Sequence, residues 1–194
     1  MPRLSGVFDI FADLERIPIS DIASWLKQRG DLHTLQNSIG NRLLYPQVVP
    51  LTKEDLNIDL AILREAVFRQ PEKIYSPKEQ KIVIPENFLT RFPPLINLVI
   101  ALLQALNPQG ITTLNIKNIG VTKLIGSSVA PPFNGVVDNL SLEVNGTNIG
   151  QLKPGGVMLF PYKDKHLRIK IGQSLEGIAP GGDLGLIIDL RKWA

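Results

Sequence analysis

The sequence contains no cysteine and has only two histidines, His33 and His166, which lie far apart in the chain. The lack of cysteine excludes disulfides, thiolate zinc sites, iron–sulfur clusters and cysteine nucleophiles. A histidine-rich metal site needs several converging imidazoles, which two distant residues do not supply. We therefore expect no metal ligands and no cofactor.

The chain also lacks blocks of like charge and long hydrophobic runs. Its 21 lysines and arginines face 18 aspartates and glutamates, and these charges are spread along the sequence. A nucleic-acid-binding protein usually concentrates basic residues in a patch, so dedicated nucleic-acid binding is not expected. The most apolar segment, 93–108, has about 13 residues between its prolines, against the roughly 20 that span a bilayer. No transmembrane segment is predicted.

The N-terminal stretch "MPRLSGVFDIFADLERIP" does not look like a secretion signal. Asp9, Asp13 and Glu15 interrupt its apolar residues, whereas a signal peptide has a continuous apolar region. We therefore expect a protein that is made in a cytoplasm and is not secreted.

What the chain does have is enough apolar sequence for a packed core, with hydrophobic residues at 44% of 194 and charged residues at 20%. Helix signals dominate up to about residue 108, and short apolar runs broken by turn residues follow. The sequence predicts an α+β chain in which 1–108 is mainly helical with extended connections. Residues 109–194 are predicted to form an antiparallel β-sandwich, immunoglobulin-like or jelly-roll-like.

Three helices are predicted in the first region, and an extended connection separates the first two. Ser20 is a candidate N-cap for a short amphipathic helix over 21–29, with Gly30 closing it. The stretch "LLYPQVVP" (43–50) is predicted to be extended, since each proline disfavours helix at the residue before it. Thr52 begins a weak capping box, Thr-x-x-Asp, and Pro71 ends the helix that follows.

The helix after Thr52 has a clear apolar spacing. Its predicted buried residues are Leu56, Leu60, Leu63 and Val67. Its predicted solvated face carries Asn57, Arg64 and Glu65.

A third helix is predicted over 93–107, and it has apolar residues on all sides. Such a helix is buried all round, either in a core, at an oligomer interface or against a membrane. We predict burial between elements or subunits for four of its residues: Ile96, Val99, Leu103 and Leu106.

The second region reads as strands joined by tight turns. The predicted strands are 111–117, 121–126, 139–145, 147–152, 157–162, 166–172 and 184–193. In the first region, a further strand is possible within 79–88, ending at Pro85. The Asn145-Gly146 pair predicts a hairpin, and Pro154-Gly155-Gly156 predicts a turn into the next strand. The sequons at Asn139 and Asn145 are interpreted as chance matches, since nothing indicates secretion.

Possible catalytic groups form no recognisable constellation. Phosphate cradles need a helix after the glycines, but strands follow both Gly-rich loops. No Gly-x-Ser-x-Gly elbow is present. The acidic residues that could form a glycosidase pair show no spacing that singles out two of them; they are Glu143, Asp164, Glu176 and Asp183. We predict no catalytic residue and a protein that is not an enzyme.

Four stretches of the second region have a sequence pattern typical of one class of β domain. They are "IKNIG" (116–120), "LSLEVNGTNIGQLKPGG" (140–156), "HLRIKIG" (166–172) and "LGLIIDL" (184–190). Over about 111–190 this region resembles small β-sandwich domains of bacteriophage virion structural proteins. The resemblance implies a capsid, connector or tail accessory protein that resides in the virion. Its implied partners are further copies of itself and other virion proteins.

Two alternatives stay open at this point. One is a carbohydrate- or ligand-binding module that uses loops at one end of the sandwich. The other is a peripheral membrane-contacting protein that uses the apolar helix at 93–107.

Overall fold

A computed structural model describes residue 10 and residues 14–26, 31–131, 140–153, 155–164, 166–173 and 175–191. The chain is α+β and divides into two compact units. The first unit comprises Met1–Ile74 and Pro85–Leu106, and the second comprises Tyr75–Ile84 and Asn107–Ala194. The predicted division into 1–108 and 109–194 differs from these units at residues 107–108, which belong to the second unit, and at a longer segment. The segment 75–84 leaves the helical unit and pairs as strands in the second one.

The first unit is built from five helices within the described residues. They are α1 (Ile19–Ser24), α2 (Leu32–Leu44), α3 (Lys53–Arg69), α4 (Asn87–Arg91) and α5 (Leu95–Leu106), with 3-10 turns at Leu14–Arg16 and Pro71–Lys73. Helix α3 packs against α5 and α1, and α1 also packs against α2.

Helix α3 begins and ends where the sequence predicts. The backbone N–H of Asp55 donates to Oγ1 of Thr52 at 3.0 Å, and the hydroxyl of Thr52 donates back to Oδ2 of Asp55 at 2.7 Å. The first bond caps one backbone N–H at the helix start, and the second joins the two side chains. The helix ends at Arg69, two residues before Pro71.

The face of α3 that was predicted to be solvated is partly buried. Glu65 is 5% exposed. Its Oε2 accepts from the indole Nε1 of Trp25 at 2.8 Å, and its Oε1 accepts from Nε of Arg69 at 2.6 Å. The prediction for Glu65 was wrong because α1 packs against this side of α3 and supplies a donor. Asn57 is exposed, as predicted.

The other helix predictions need two corrections. Helix α1 runs over Ile19–Ser24, with Trp25 as its C-cap, and does not extend over 21–29; residues 27–30 lie outside the described residues. The segment predicted to be extended over 43–50 begins later, because α2 continues to Leu44 before Pro46 ends it.

Helix α5 confirms the helix predicted in the apolar segment, from Leu95 to Leu106. Val99 and Leu103 are fully buried, whereas Ile96 and Leu106 are half-buried. The chain itself thus buries the first two of these residues. Their role in an interface between subunits stays a prediction.

The second unit contains two sheets. The strands are β1 (Tyr75–Ser76), β2 (Lys81–Pro85), β3 (Gly110–Asn118), β4 (Val121–Ala130), β5 (Leu140–Val144), β6 (Thr147–Leu152), β7 (Val157–Phe160), β8 (Leu167–Ile171), β9 (Leu175–Ala179) and β10 (Gly185–Asp189). One sheet has the order β1-β2-β3-β4-β10-β7, and the other has the order β6-β5-β8-β9. Strand β9 was not predicted.

Most of the strand pairs are antiparallel. Strand β10 lies parallel to β4, with Gly185 opposite Gly126 and Ile188 opposite Val129. The expectation of a fully antiparallel arrangement was therefore wrong for this pair. The sheets are mostly antiparallel, and β4 continues to Ala130, beyond its predicted end.

The predicted Asn-Gly hairpin is confirmed between β5 and β6. Asn145 and Gly146 have φ of +50° and +81°, as a turn of type I′ requires. The Asn145 side chain accepts from the backbone N–H of Arg168 at 3.1 Å, which ties the turn to β8. Asn139 and Pro154, named in the sequence predictions, lie outside the described residues.

Both sheets contribute side chains to one hydrophobic cluster. Leu142 of β5, Ile169 of β8 and Leu186 of β10 are among its buried members, and Ile111 of β3 packs against it. Side chains alternate along β5 and β8, so the apolar residues of these two strands lie on one face of their sheet and the charged residues on the other.

Candidate docking groove

A surface groove of about 450 Å³ lies in the helical unit, between α2, α3 and the chain that connects them. Its lining includes Arg42 from α2, Asp55 from α3, and four apolar or aromatic residues of the connection: Tyr45, Val48, Val49 and Leu51. We refer to this cavity as the docking groove.

The connection that forms one wall of the groove runs from the C-terminal end of α2 to the N-terminal end of α3, and both helices have defined ends. Helix α2 is N-capped by Asp31, whose carboxylate accepts from the backbone N–H groups of His33 and Thr34. At its other end the N–H of Tyr45 donates to the carbonyl of Asn41 at 2.9 Å. Pro46 cannot continue the helix, so the chain turns there and stays irregular up to the cap of α3.

The floor of the groove is a buried carboxylate that binds two arginines. The Asp59 side chain is 1% exposed, and those of Arg42 and Arg91 are each 12% exposed. Nη2 of Arg91 donates to Oδ2 of Asp59 at 2.7 Å, and Nε of Arg42 donates to Oδ1. A buried charge is tolerated only when it is paired and hydrogen-bonded, and each oxygen of Asp59 has an arginine partner.

The two arginines also bind backbone carbonyls, so the network joins several chain segments. Nη1 of Arg42 donates to the carbonyl of Ser38 at 2.9 Å, and Nη2 donates to the carbonyl of Asp55 at 3.1 Å. Nη1 of Arg91, the last residue of α4, donates to the carbonyl of Pro46 at 2.6 Å. These bonds hold α2, α3, α4 and the connection in one arrangement.

The exposed charge at the groove is the carboxylate of Asp55, whose side chain is 41% exposed. The hydroxyl of Thr52, and then the guanidinium of Arg42, hold the pKa of Asp55 below its ordinary value of 3.8. Asp55 is therefore ionised at neutral pH. The Asp55 carboxylate also pairs with Nη2 of Arg42 at 3.3 Å, and it is the more exposed partner, since the arginine side chain is 12% exposed.

The rim of the groove is apolar and exposed. Leu51 is 86% exposed, and Tyr45, Val48 and Val49 are also exposed. Leu44, the last residue of α2 and next to Tyr45 in the chain, is exposed as well. Contiguous exposed apolar residues on a soluble protein mark surfaces that bind other proteins or membranes. The groove thus combines an apolar rim with a floor whose side chains are fixed by hydrogen bonds.

A second cavity, of about 430 Å³, lies on the outer face of the four-stranded sheet and is polar. Glu143 and Glu176, two of the carboxylates considered from the sequence, line it on either side of Lys170. Glu176 forms an ion pair with Arg168 at 3.1 Å, and Lys170 lies 4.0 Å from Glu143. These are surface ion pairs along a strand ladder, each of which contributes little on its own.

The remaining candidate groups lie elsewhere. Asp183 forms an ion pair with Lys123 at 2.6 Å, and that lysine holds the pKa of Asp183 below its ordinary value. Asp164 does not line the polar cavity, and both histidines are exposed. The four residues predicted at an interface on α5 do not line the docking groove.

Sequence reasoning missed the residues on which the groove depends: Arg42, Asp59 and Arg91. One signal was present. Asp59 interrupts the run "IDLAIL" (58–63), in which every residue is buried. A carboxylate within so apolar a stretch of helix needs a cationic partner. The sequence does not show which of its 21 basic residues that partner is.

Among the described residues, no group of three or more histidine, aspartate or glutamate side chains lies close enough to hold a metal ion. None of the helices in the described ranges is long and apolar enough to cross a membrane. Comparison of the chain with protein-family models, with curated proteins and with solved structures finds no match.

Proposed function

We propose that this protein is a non-enzymatic assembly protein that forms oligomers and packs against neighbouring proteins. The observation that carries this proposal is the docking groove. Four exposed apolar or aromatic residues stand over a hydrogen-bonded network that fixes their backbone before any partner arrives. A binding surface that is already ordered avoids most of the entropic penalty of ordering a loop on association.

We further propose that the assembly is a bacteriophage virion, in which the protein is a capsid, connector or tail accessory component. The support is the resemblance of about 111–190 to β-sandwich domains of such proteins. The sheet unit also has the residue pattern that the resemblance requires, with alternating basic and apolar residues on β8. Its site of action would then be the virion, after synthesis in the host cytoplasm.

The proposal includes a sandwich of the two sheets, of the immunoglobulin-like or jelly-roll kind. Two contacts support it. Buried side chains of both sheets belong to one cluster. A Cβ atom built on Gly177 of β9 would lie 2.5 Å from Cδ1 of Ile111 of β3, so these strands of different sheets approach closely.

The assembly function is tested by the molar mass of the protein in solution, measured by light scattering over a range of concentrations. We expect the mass to rise with concentration, and we expect Val48→Asp with Leu51→Asp to abolish the rise. Both side chains are exposed, so the double variant should fold. Ile178→Asp is the matched control, because Ile178 is an exposed apolar residue of β9, remote in sequence from the groove.

A monodisperse monomer at every concentration, which also fails to bind any other protein of its native particle, would overturn the assembly proposal. The phage context has a separate test in the genomic neighbourhood of the gene. Genes for portal, terminase and tail proteins beside it would support the virion assignment. A neighbourhood of metabolic genes would contradict it and leave the assembly proposal standing.

A further inference from the structure

The hairpin between β3 and β4 ends in an exposed apolar tip. Asn118 lies opposite Val121, so Ile119 and Gly120 form the turn, with Gly120 at φ +80°. Ile119 is 96% exposed, and Val121 is 68% exposed. A β-branched side chain left almost wholly in water at a turn gives no stability to the hairpin itself. It is available to a partner.

The tip of the hairpin extends past the part of β4 that pairs with β10. Strand β10 pairs with β4 only from Gly126 onwards. The first three residues of β4, Val121 to Lys123, are all exposed. The hairpin therefore forms a short arm, which we define as residues 115–124.

The arm carries basic charge as well as apolar residues. Lys117 and Lys123 flank the tip, and no acidic residue occurs between 115 and 124. Lys123 forms an ion pair with Asp183 at the base of the arm. An apolar tip with lysines behind it is suited to a surface that presents exposed apolar residues beside a carboxylate.

We propose that the tip of this arm inserts into the docking groove of a second copy of the chain. The inference rests on the proposed assembly function and names the partner of the docking groove. Ile119 and Val121 of one copy would lie between Tyr45, Val48 and Leu51 of the next.

The two surfaces match in chemistry and in size. The groove has an apolar rim and a cavity of about 450 Å³, within the range of pockets that accept a compact apolar ligand. Its solvent-facing charge is the carboxylate of Asp55, and Lys117 of the arm brings the opposite sign. Complementary potentials of this kind fix the register and suppress wrong partners.

The contact is heterologous, because the arm and the groove are different surfaces of the chain. Head-to-tail contacts generate rings when the rotation closes and filaments when it does not. Two apolar side chains do not offset the loss of translational freedom when a single pair associates. The contact between a single pair therefore has low affinity, forms at high protein concentration, and is strengthened within an array, where each copy is held by several neighbours.

The test uses the complete absence of native cysteine. Ile119→Cys and Leu51→Cys are made in separate preparations, one carrying a mass tag, and are then mixed under mild oxidation. A disulfide between the two variants can form only between copies. Because docking holds the two thiols at a high effective concentration, we expect mixed dimer to exceed each homodimer by about tenfold.

The matched control replaces the tip variant with Ile178→Cys, mixed with Leu51→Cys; Ile178 is an exposed apolar position on β9, 60% exposed against 96% for Ile119. This pair should give the distribution of random collision. Ile119→Asp in the otherwise native chain should reduce the mass measured by light scattering, while Ile178→Asp should not. Mixed dimer of Ile119→Cys at the level of the control would overturn the proposal.

The tip could instead meet an anionic lipid surface, and the same variants separate the two partners. Self-docking would be overturned by two results together. The native chain would sediment with phosphatidylglycerol vesicles while Ile119→Asp would not, and the disulfide yields would be those of random collision. Failure of self-docking also differs from failure of the assembly function. If self-docking fails but the assembly function holds, the groove variants should still lose binding to other particle proteins, whereas the tip variants should retain it.

Discussion

Arg91 and Asp59 meet through a hydrogen bond of 2.7 Å between Nη2 and Oδ2, in a position where the carboxylate is 1% exposed. The other end of the same guanidinium holds the carbonyl of Pro46. A single side chain therefore links a charge buried in α3 to the backbone that carries the apolar rim. Three predictions about the stability and order of the groove follow from this link and from the cap of α3.

Asp59→Asn should destabilise the helical unit strongly. The substitution removes the buried negative charge that both Arg42 and Arg91, each 12% exposed, face, and only the partly exposed Asp55 still pairs with Arg42. Breaking a buried pair in this way costs about 3–5 kcal/mol. The measurement is the free energy of unfolding in urea. Asn57→Ala, at an exposed position of the same helix, is the control and should change it by less than about 0.5 kcal/mol. Equal effects of the two variants would show that the network is not a source of stability.

Arg91→Met should increase local opening of the rim of the docking groove more than it increases local opening of the helices. Methionine fills similar space but cannot donate to the carbonyl of Pro46 or to Asp59. We expect faster amide hydrogen exchange over residues 45–51 than in the native chain, since exchange reports local opening. Arg168→Met is the control, because Arg168 forms an exposed ion pair on the four-stranded sheet. Unchanged exchange over 45–51 in Arg91→Met would contradict the tethering role of Arg91.

Thr52→Ala should lower stability and also change its dependence on pH. Loss of an N-cap hydroxyl costs about 1 kcal/mol. In the native chain the pKa of Asp55 is held below its ordinary value, first by Thr52 and then by Arg42. A depressed pKa contributes stability at pH above the unfolded pKa, and this contribution is lost as pH falls through the folded pKa.

The pH measurement compares urea unfolding of the native chain and Thr52→Ala from neutral pH into the acid range. The difference in stability should be largest where Asp55 is ionised and should shrink as the carboxyl becomes protonated. Thr90→Ala, at an exposed threonine of α4, supplies the control. A difference that is constant across the whole acid range would rule out coupling between Thr52 and Asp55.

The sequence predicts the features whose causes lie within a few residues of each other. The Thr52–Asp55 cap, the stop before Pro71 and the Asn145-Gly146 hairpin are all local, and the structure contains them. Helix α2 was missed although Leu35, Ile39 and Leu43 have helical spacing. Gly40 and Asn41 in the same turn lower the helix propensity and obscured that pattern.

The features that were missed depend on residues distant in sequence. Asp59 is buried because Arg91, 32 positions away, and Arg42, 17 positions away, reach it. Glu65 is buried because Trp25, 40 positions away, donates to it. No periodicity along α3 contains this information, so an acidic residue there was assigned to solvent. The docking groove, which rests on these long-range contacts, was for the same reason not foreseen.

The parallel pairing of β4 with β10 also depends on distant residues, and it yields a sharp final prediction. Gly126 and Gly185 lie opposite each other, and a Cβ atom on Gly126 would overlap the carbonyl oxygen of Gly185. Gly126→Ala should therefore force the two strands apart. Gly150 of β6 is a matched control, because its φ of +148° is close to the +156° of Gly126 and nothing lies near its Cβ position.

Both alanine variants suffer the same backbone strain, so the difference between their unfolding free energies isolates the contact between the strands. Overpacking of this kind costs about 1–3 kcal/mol, and we expect Gly126→Ala to be less stable than Gly150→Ala by that amount. The contact is with backbone, which cannot swing aside as a flexible side chain can. Equal stabilities would mean that β4 and β10 are not paired at this register. The parallel pair would then be absent from the sheet that carries the arm.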